Sequence, residues 1–583
     1  MLRRPGWRWP RWRGPRIRRP QLHRRQLRRP RLRLPTLRLP TLRLPTLRLP
    51  TLRLPTLRLP TLCLPTLGRP RWLRLDVLVG LVIWCLAGLV LYTCYLHVSR
   101  TVPVNSDGAS NALQAWAMLH GNLLLRGWRL SDVSFYTTEL PQYMLVELWR
   151  GLGPDDVHVA AAMTYALLVL LAARLAKGTA TGGEGVARAV IAGGIMLAPQ
   201  QSAAPVLLLS PDHAGSSVPV LVAWILLDHG RRRWYAPLGA GLLLSLAVMA
   251  DSITIITGIM PLVVVGAVRG YQVVIRERSR LRSAWYELAL VAAGLAAVQA
   301  ASRALAAITA HGGFYVYPVD NQLAPFGQLP GHLSLLAQGI ALLFGASFFG
   351  DTAGLAAALA ILHLAGVGLA AWAVCAALRR FAAADLVAQL LVTGILLSLA
   401  GYLFGSKAGD LGTTREMIAV LPLSAALAGR LLAGRLIRAR LLQGLLVVLA
   451  AFIISLVQVV AQPPVPAQDA PLASWLAAHH LRSGLSGYWQ ASGTTLENDG
   501  VRIRPLAQAG GTIVSGDWEA QSGWYSPARQ QANFVVLTDS GPGGSMFPSP
   551  ASLRTAFGQP ARIYYVGPYA VLVWNKNLLA GLG

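Results

Sequence analysis

The sequence predicts an all-α polytopic membrane protein with a small α/β domain at its C-terminal end. Three observations predict it. Of the 583 residues, 54% are hydrophobic and 13% charged, against about 25% charged in a soluble domain. Apolar runs recur from 75 to 461, many close to the roughly 20 residues that cross a bilayer core. Beyond 462 the chain changes to proline, alternating strands and turns. Three regions follow: a basic tail (1–74), a membrane body (75–461) with a first external loop (98–155), and an outer domain (462–583).

The tail holds 22 arginines and no acidic residue, so most of the net charge of +29 is local. Residues 33–67 repeat Leu-Arg-Leu-Pro-Thr. Proline at that density removes backbone donors and blocks a helix, so the tail reads as disordered or partly extended. It either attracts anionic headgroups or nucleic acid by charge alone, with no specific nucleic-acid partner, or is a repeat expansion or an upstream start. It lacks the cleavage pattern of a signal peptide. Of the four cysteines, Cys85 and Cys94 stand nine residues apart on one helix, about 13 Å of rise, too far for a disulfide. Cys63 and Cys375 add no metal or disulfide framework.

Apolar segments fall near 75–97, 157–176, 186–203, 214–228, 236–250, 253–268, 285–306, 352–377, 384–404, 416–433 and 441–461, about eleven spans. The run 335–350 is short and reads as re-entrant or interfacial. Arginines cluster before the first span (Arg69, Arg71, Arg74) and after the fourth (Arg231, Arg232, Arg233). They recur after the sixth (Arg276, Arg278, Arg280, Arg282), the eighth (Arg379, Arg380) and the tenth (Arg435, Arg438, Arg440). Threaded alternately, all fall on one side, which the positive-inside rule makes the cytoplasm. The segments 98–155, 204–213, 307–334, 405–415 and the C-terminal domain then lie outside, in a multi-pass protein of the plasma membrane with its N-terminus inside.

In the outer domain, Gln462-Pro463-Pro464-Val465-Pro466 reads as a semi-rigid linker. Residues 469–485 have helical spacing, 533–537 read as a strand, and 562–566 with 569–574 as a hairpin through Gly567-Pro568. Trp475, Tyr488, Trp489, Trp518, Trp524 and Tyr525 are ring faces for sugars, or core and interface aromatics.

Polar residues in the expected outer loops are the site candidates. Asp107 lies about ten residues past the first span, in Asn105-Ser106-Asp107-Gly108, before an amphipathic stretch at 112–125. It is a general base, or it caps a helix starting near Gly108. Glu139 is a second acid or metal ligand, or caps an interfacial helix with Pro141 in its first turn. Asp212-His213 suits a relay or an ion, though neighbours in sequence rarely face one site; Asp212 is alternatively a cap. Asp251 marks an external turn. Lys407, Asp410 and Arg415 form a charged loop, in which Arg415 suits a phosphate or the loop is merely solvated. His363, deep in a span, lines a polar path or packs with a hydrogen bond.

Several segments resemble the GT-C integral membrane glycosyltransferases, in an uncharacterised actinobacterial branch. They are Ser106-Asp107-Gly108-Ala109-Ser110-Asn111-Ala112-Leu113-Gln114-Ala115-Trp116, Asp132-Val133-Ser134-Phe135-Tyr136-Thr137-Thr138-Glu139-Leu140-Pro141, Arg415-Glu416-Met417 with Leu421-Pro422, and Val573-Trp574-Asn575-Lys576-Asn577-Leu578-Leu579. The resemblance spans about 75–583. It implies a GT-C-like fold, a polyprenyl-phosphate sugar donor, and an envelope glycan or lipid acceptor. It implies Asp107 as the base, or as the residue that orients the acceptor and any divalent metal; read from their own chemistry, Glu139 is the second catalytic candidate and Arg415, Lys407, Asp212 and His213 are the candidates around substrate phosphate. It admits a divalent metal ion, for which no ligand set is visible.

No Walker A, paired CxxC or HExxH motif occurs, which removes support for nucleotide-driven transport and zinc peptidase chemistry. A transporter or flippase needs a polar path and usually an internal repeat, and neither is evident. A non-catalytic GT-C-like scaffold is the main alternative. The threading is checked by reporter fusions: those placed after Arg232 and after Pro466 are expected on opposite sides of the membrane, and the same side for both contradicts it.

Overall fold

The computed structural model describes residues 75–583 except 231, 277–279, 319–321, 351, 498–499, 539–547 and 583. The Leu-Arg-Leu-Pro-Thr repeat, Arg231 and Arg278 lie outside the described residues.

Every expected apolar segment is helical. The body runs α1 (Leu75–Ser99), α2 (Ser106–Leu119), α3 (Glu139–Arg150), α4 (Asp155–Lys177), α5 (Gly182–Met196), α6 (Ala204–Leu207), α7 (Ser217–His229), α8 (Tyr235–Ala250), α9 (Met260–Tyr271), α10 (Trp285–Ala310), α11 (Leu329–Leu343), α12 (Leu355–Arg379), α13 (Leu386–Phe404), α14 (Val420–Arg438) and α15 (Leu442–Val460). Among the described residues, eight helices are long and apolar enough to cross a membrane, or nine if the pair 182–196 and 201–207, bent by 77°, is one span. The remaining two expected spans are α7 and α8, of 13 and 16 residues. At 1.5 Å per residue these measure roughly 20 and 24 Å, shorter than a 30 Å hydrocarbon core. Asp251 ends α8, where a π-helical turn, Ile255–Ile259, leads into α9. The short run expected near 335–350 is α11, placed earlier at 329–343 because Pro330 starts it in its first turn.

The buried centre is α4, α5 and α14, while α1 stays largely exposed on the bundle surface. Small residues bring the central helices close. A Cβ on Gly429 of α14 would run into the carbonyl of Arg188 on α5 and lie 2.9 Å from Ala176 on α4. Without a hydrophobic driving force between helices in lipid, such close backbone approach supplies the packing contacts. The next residue, Arg430, donates to Asp228 (2.6 Å) and Asp385 (3.1 Å), tying α14 to α7 and the start of α13. His363 is buried and hydrogen-bonds Phe344 O (2.9 Å) and Ser455 (3.2 Å), a packing role.

The loops expected on one side of the membrane do meet. Tyr317 N donates to Ser131 O (3.1 Å), Ser406 N to Gln322 O (3.1 Å), Asn111 to Asp212 (2.9 Å) and Val465 N to Arg100 O (2.9 Å).

The C-terminal part contains α16 (Ala470–Ala478), β2 (Ser483–Ser486), α17 (Tyr488–Glu497), β3 (Arg502–Ala509), β4 (Thr512–Ser515), β6 (Phe534–Thr538), α18 (Pro550–Phe557), β7 (Arg562–Val566) and β8 (Tyr569–Val573). Two two-residue strands, β1 (Trp128–Arg129) in the first loop and β5 (Ala520–Gln521), pair antiparallel. The main sheet has the order β4-β3-β2-β6-β8-β7. Its centre, β2 between β3 and β6, is parallel, and its edges are antiparallel. The expected strand and hairpin are β6 and β7–β8. The expected helix 469–485 stops at Ala478, because Gly484 lies in β2 against the ring of Phe534, where any side chain would clash.

Gly429→Val is expected to lower stability by about 1–3 kcal/mol through overpacking, read as a lower melting temperature in detergent. Gly193→Val, where a Cβ meets nothing within 4 Å, is the control expected to melt near wild type.

Candidate functional site

The first turn of α2 projects Asp107 into a polar cavity of about 280 Å³ between the bundle loops and the C-terminal domain. The helix is capped by Asn105, whose side chain accepts from Gly108 N (3.0 Å). Asp107 is therefore not the cap, and its carboxylate is left for other partners. The amphipathic helix ends at Leu119, short of the expected 125.

Three groups converge on Asp107. Arg415 donates to its Oδ2 (3.2 Å), Asn105 donates to the same oxygen (3.3 Å), and Tyr488 Oη lies 2.6 Å from Oδ1. Tyr488 Oη is also 2.6 Å from Oε2 of Glu519. One phenol carries one proton, so it donates to one carboxyl and accepts from the other. Arg415 beside Asp107 favours placing the extra proton on Glu519. Burial, then the charge of Asp107, pushes the Glu519 carboxyl well above its usual range. The outcome is a short proton chain, Glu519 to Tyr488 to Asp107.

Asp212 and His213 both line this cavity, contrary to the expectation for neighbours in sequence. His213 has a left-handed backbone (φ 58°), which turns consecutive side chains toward one space. Asp212 accepts from Asn111 (2.9 Å) and Ser210 (2.6 Å). Burial and then the Asp107 charge raise it above the usual carboxylate range. His213 Nδ1 is 2.8 Å from Asp251 Oδ2. Burial alone would lower its pKa, but the Asp251 charge and hydrogen bond outweigh this and push it up to about 10. Asp251, at the turn that follows α8, is thus the buried partner of His213. Phe135 and Glu519, also on the cavity wall, share the left-handed backbone (φ 49° and 50°). Backbone strain of this kind collects at functional sites.

Lys407 lines the cavity and donates to Asp132 (3.0 Å). Trp489 and Trp518 form part of its wall, and Trp518 stacks on Tyr317 at 5.7 Å. The other outer-domain aromatics part company. Tyr525 donates to Pro505 O and Gly516 O, and Trp475 stacks on His479 at 3.9 Å.

Glu139 is not in this cavity. It begins α3, fully buried, with Thr138 and Ser216 donating to it. A Cβ at Gly215 would lie 2.6 Å from its Oε1. Burial pushes its pKa up to about 8.

The carboxylates as placed do not fit a divalent ion. The oxygens of Asp107 are taken by Arg415, Asn105 and Tyr488, and those of Asp212 by Asn111 and Ser210. Among the described residues no group of three or more His, Cys, Asp or Glu side chains has a metal-holding arrangement.

A groove of about 470 Å³ shares Asp132, Val133, His213, Lys407 and Glu416 with the polar cavity. Its walls are otherwise mostly apolar, from Ile253, Ile255 and Ile256 around the π turn to Leu323 and Phe404.

Asp107, Asp212, His213, Lys407 and Arg415 therefore come together, and Glu139 stands apart. Glu519 and Asp132 were missed from the sequence. The one signal for Glu519 was its place in Asp517-Trp518-Glu519, acids amid aromatics.

No family model matches this chain, and no curated protein does. The solved structures to which it is similar include those of two proteins. One is the Archaeoglobus fulgidus oligosaccharyltransferase in the apo form (TM-score 0.45, 13% identity, covering 79% of this chain and 69% of that one). The other is ArnT from Cupriavidus metallidurans, in the apo state (TM-score 0.40, 13% identity, 87% and 99%) and bound to undecaprenyl phosphate (TM-score 0.39, 14% identity, 85% and 98%).

Glu139 generates a pH dependence. Its folded pKa of about 8 lies above the ordinary 4.5, so the folded state keeps a proton that the unfolded chain loses. Its contribution to stability is full below about 4.5 and is lost as pH rises through about 8. Between pH 5 and 8 the melting temperature of wild type is expected to fall more steeply than that of Glu139→Gln.

Proposed function

We propose that the chain transfers a sugar from a polyprenyl-phosphate donor to an envelope glycan or lipid at the outer face of the cytoplasmic membrane. One observation carries this reading. A charged cavity, in which Asp107 is paired with Arg415 and Asp132 with Lys407, shares its wall with an apolar groove among the membrane helices, the shape of a charged head joined to a long apolar tail.

Asp107 is the base. It takes the proton of the acceptor hydroxyl as that oxygen attacks the anomeric carbon. The bond from the anomeric carbon to the phosphate oxygen breaks, and the polyprenyl phosphate leaves with the electron pair. Arg415 and Lys407 face the charge that grows on the phosphate, where a guanidinium binds two oxygens at once. The Tyr488 hydroxyl orients Asp107, and the proton on Glu519 keeps the buried pair from carrying two charges. Asp212, fixed by Asn111 and Ser210, and His213, paired with Asp251, line the wall facing the donor. Glu139 has a structural part under Gly215 and no catalytic one. The groove beside Phe404 and Ile256 suits the prenyl chain.

Transfer by the purified chain from a polyprenyl-phosphate sugar tests the reading. Asp107→Asn is expected to slow transfer about 10²–10⁴-fold, the range for a positioned general base, while still binding polyprenyl phosphate. Full activity in that variant removes Asp107 as base. Failure of wild type to bind any polyprenyl phosphate favours the scaffold alternative.

A further inference from the structure

A second and larger cavity, of about 790 Å³, lies beyond the β1–β5 ribbon, between the first loop and the C-terminal sheet. It shares no lining residue with the Asp107 cavity. Trp116 of α2, Trp128 of β1 and Trp524 line it, and Trp128 and Trp524 meet edge to face at 5.1 Å. Arg504 of β3 also lines it and is 4% exposed. Its Nη2 donates to Gln530 (2.7 Å), but its Nη1 is buried with no hydrogen-bond partner. No acidic side chain lines the cavity among the described residues; Arg502 stands exposed at its edge, and Arg150, which also lines it, is paired with Asp155 and Asp156. A buried cationic donor with neither a counter-charge nor an acceptor is costly. Burial, and then the charge of Arg502, lowers the Arg504 pKa from its ordinary value, in keeping with that missing partner.

We propose that this cavity is a binding site for an acidic oligosaccharide, with a sugar carboxylate on Arg504 and sugar rings against the tryptophans. Indole faces suit the apolar faces of sugar rings. The amides of Asn122 and Gln521 on the wall suit ring hydroxyls. Of the three lining arginines, Arg150 is paired with acids and Arg502 is exposed, so the buried Arg504 is the guanidinium left to balance a singly charged carboxylate. The site is separate from the one assigned to transfer, and its test reads binding alone, so neither proposal falls with the other.

The test is calorimetric titration of the full chain in nanodiscs. The probes are a galacturonate trimer, a neutral galactose trimer and a glutamate hexapeptide. The acidic trimer is expected to bind at least tenfold tighter than the other two, and more weakly as salt rises. Arg504→Gln is expected to abolish that tenfold preference, and Trp116→Ala to weaken both sugars severalfold. Equal binding of acidic and neutral trimers, or tighter binding of the peptide, overturns the proposal. If Arg504→Gln does not fold, Trp116→Ala together with Arg502→Gln decides: acidic-trimer affinity unchanged in both overturns it, and a severalfold loss supports it.

Discussion

The seating of the C-terminal domain on the first turns of α2 is the constraint on which the site depends. Ser106 donates to the carbonyl of Tyr488 (2.7 Å) and Ser110 to that of Glu519 (3.2 Å). The Tyr488 side chain reaches Asp107, and that of Glu519 reaches the Tyr488 hydroxyl. Main chain and side chain thus fix one register, and the β1–β5 ribbon with its Arg129–Asp517 ion pair repeats the tie next door. Hydrogen bonds to charged groups in such a buried place are worth about 1.5–3 kcal/mol each and cost more when left unmade. The docking is therefore specific as well as cohesive. The bundle alone would present Asp107 with half of its surroundings.

The membrane body answers a different demand. In lipid every backbone group needs an internal partner, so irregular backbone survives only where protein or a cavity covers it. The irregular stretches here follow that rule. The π turn and the end of α13 form the wall of the apolar groove. Regular, close-packed helices such as α4 and α14 lie at the centre. Rigid packing and an irregular groove are thus divided between different helices.

Charge follows the same division. Arg430 and its two aspartates are a closed ion-pair network among helices, with no acid or base left over. Around Asp107, acids outnumber the cations that reach them, and burial raises the proton affinity of Glu519 and, with the Asp107 charge, of Asp212. A compartment that holds carboxyls of differing proton affinity within hydrogen-bond reach is suited to moving protons.

The sequence by itself determined the apolar segments, their count and the change of class near 462, because hydropathy and proline content are local properties. It also singled out Asp107, Asp212, His213, Lys407 and Arg415, since charge is rare in loops between apolar spans and easily noticed. It could not separate Glu139 from that group, for an acid buried away from the cavity and one on its wall look alike in one dimension. Nor did it reveal β3, whose arginines and proline interrupt the strand pattern, the four-residue β4, or Glu519, which lies 412 positions from Asp107 in the chain. Only the tertiary structure decided which acids share a proton, because that depends on two oxygens standing 2.6 Å from one phenol. Distance across folded elements, and the burial that comes with it, has no counterpart in sequence spacing.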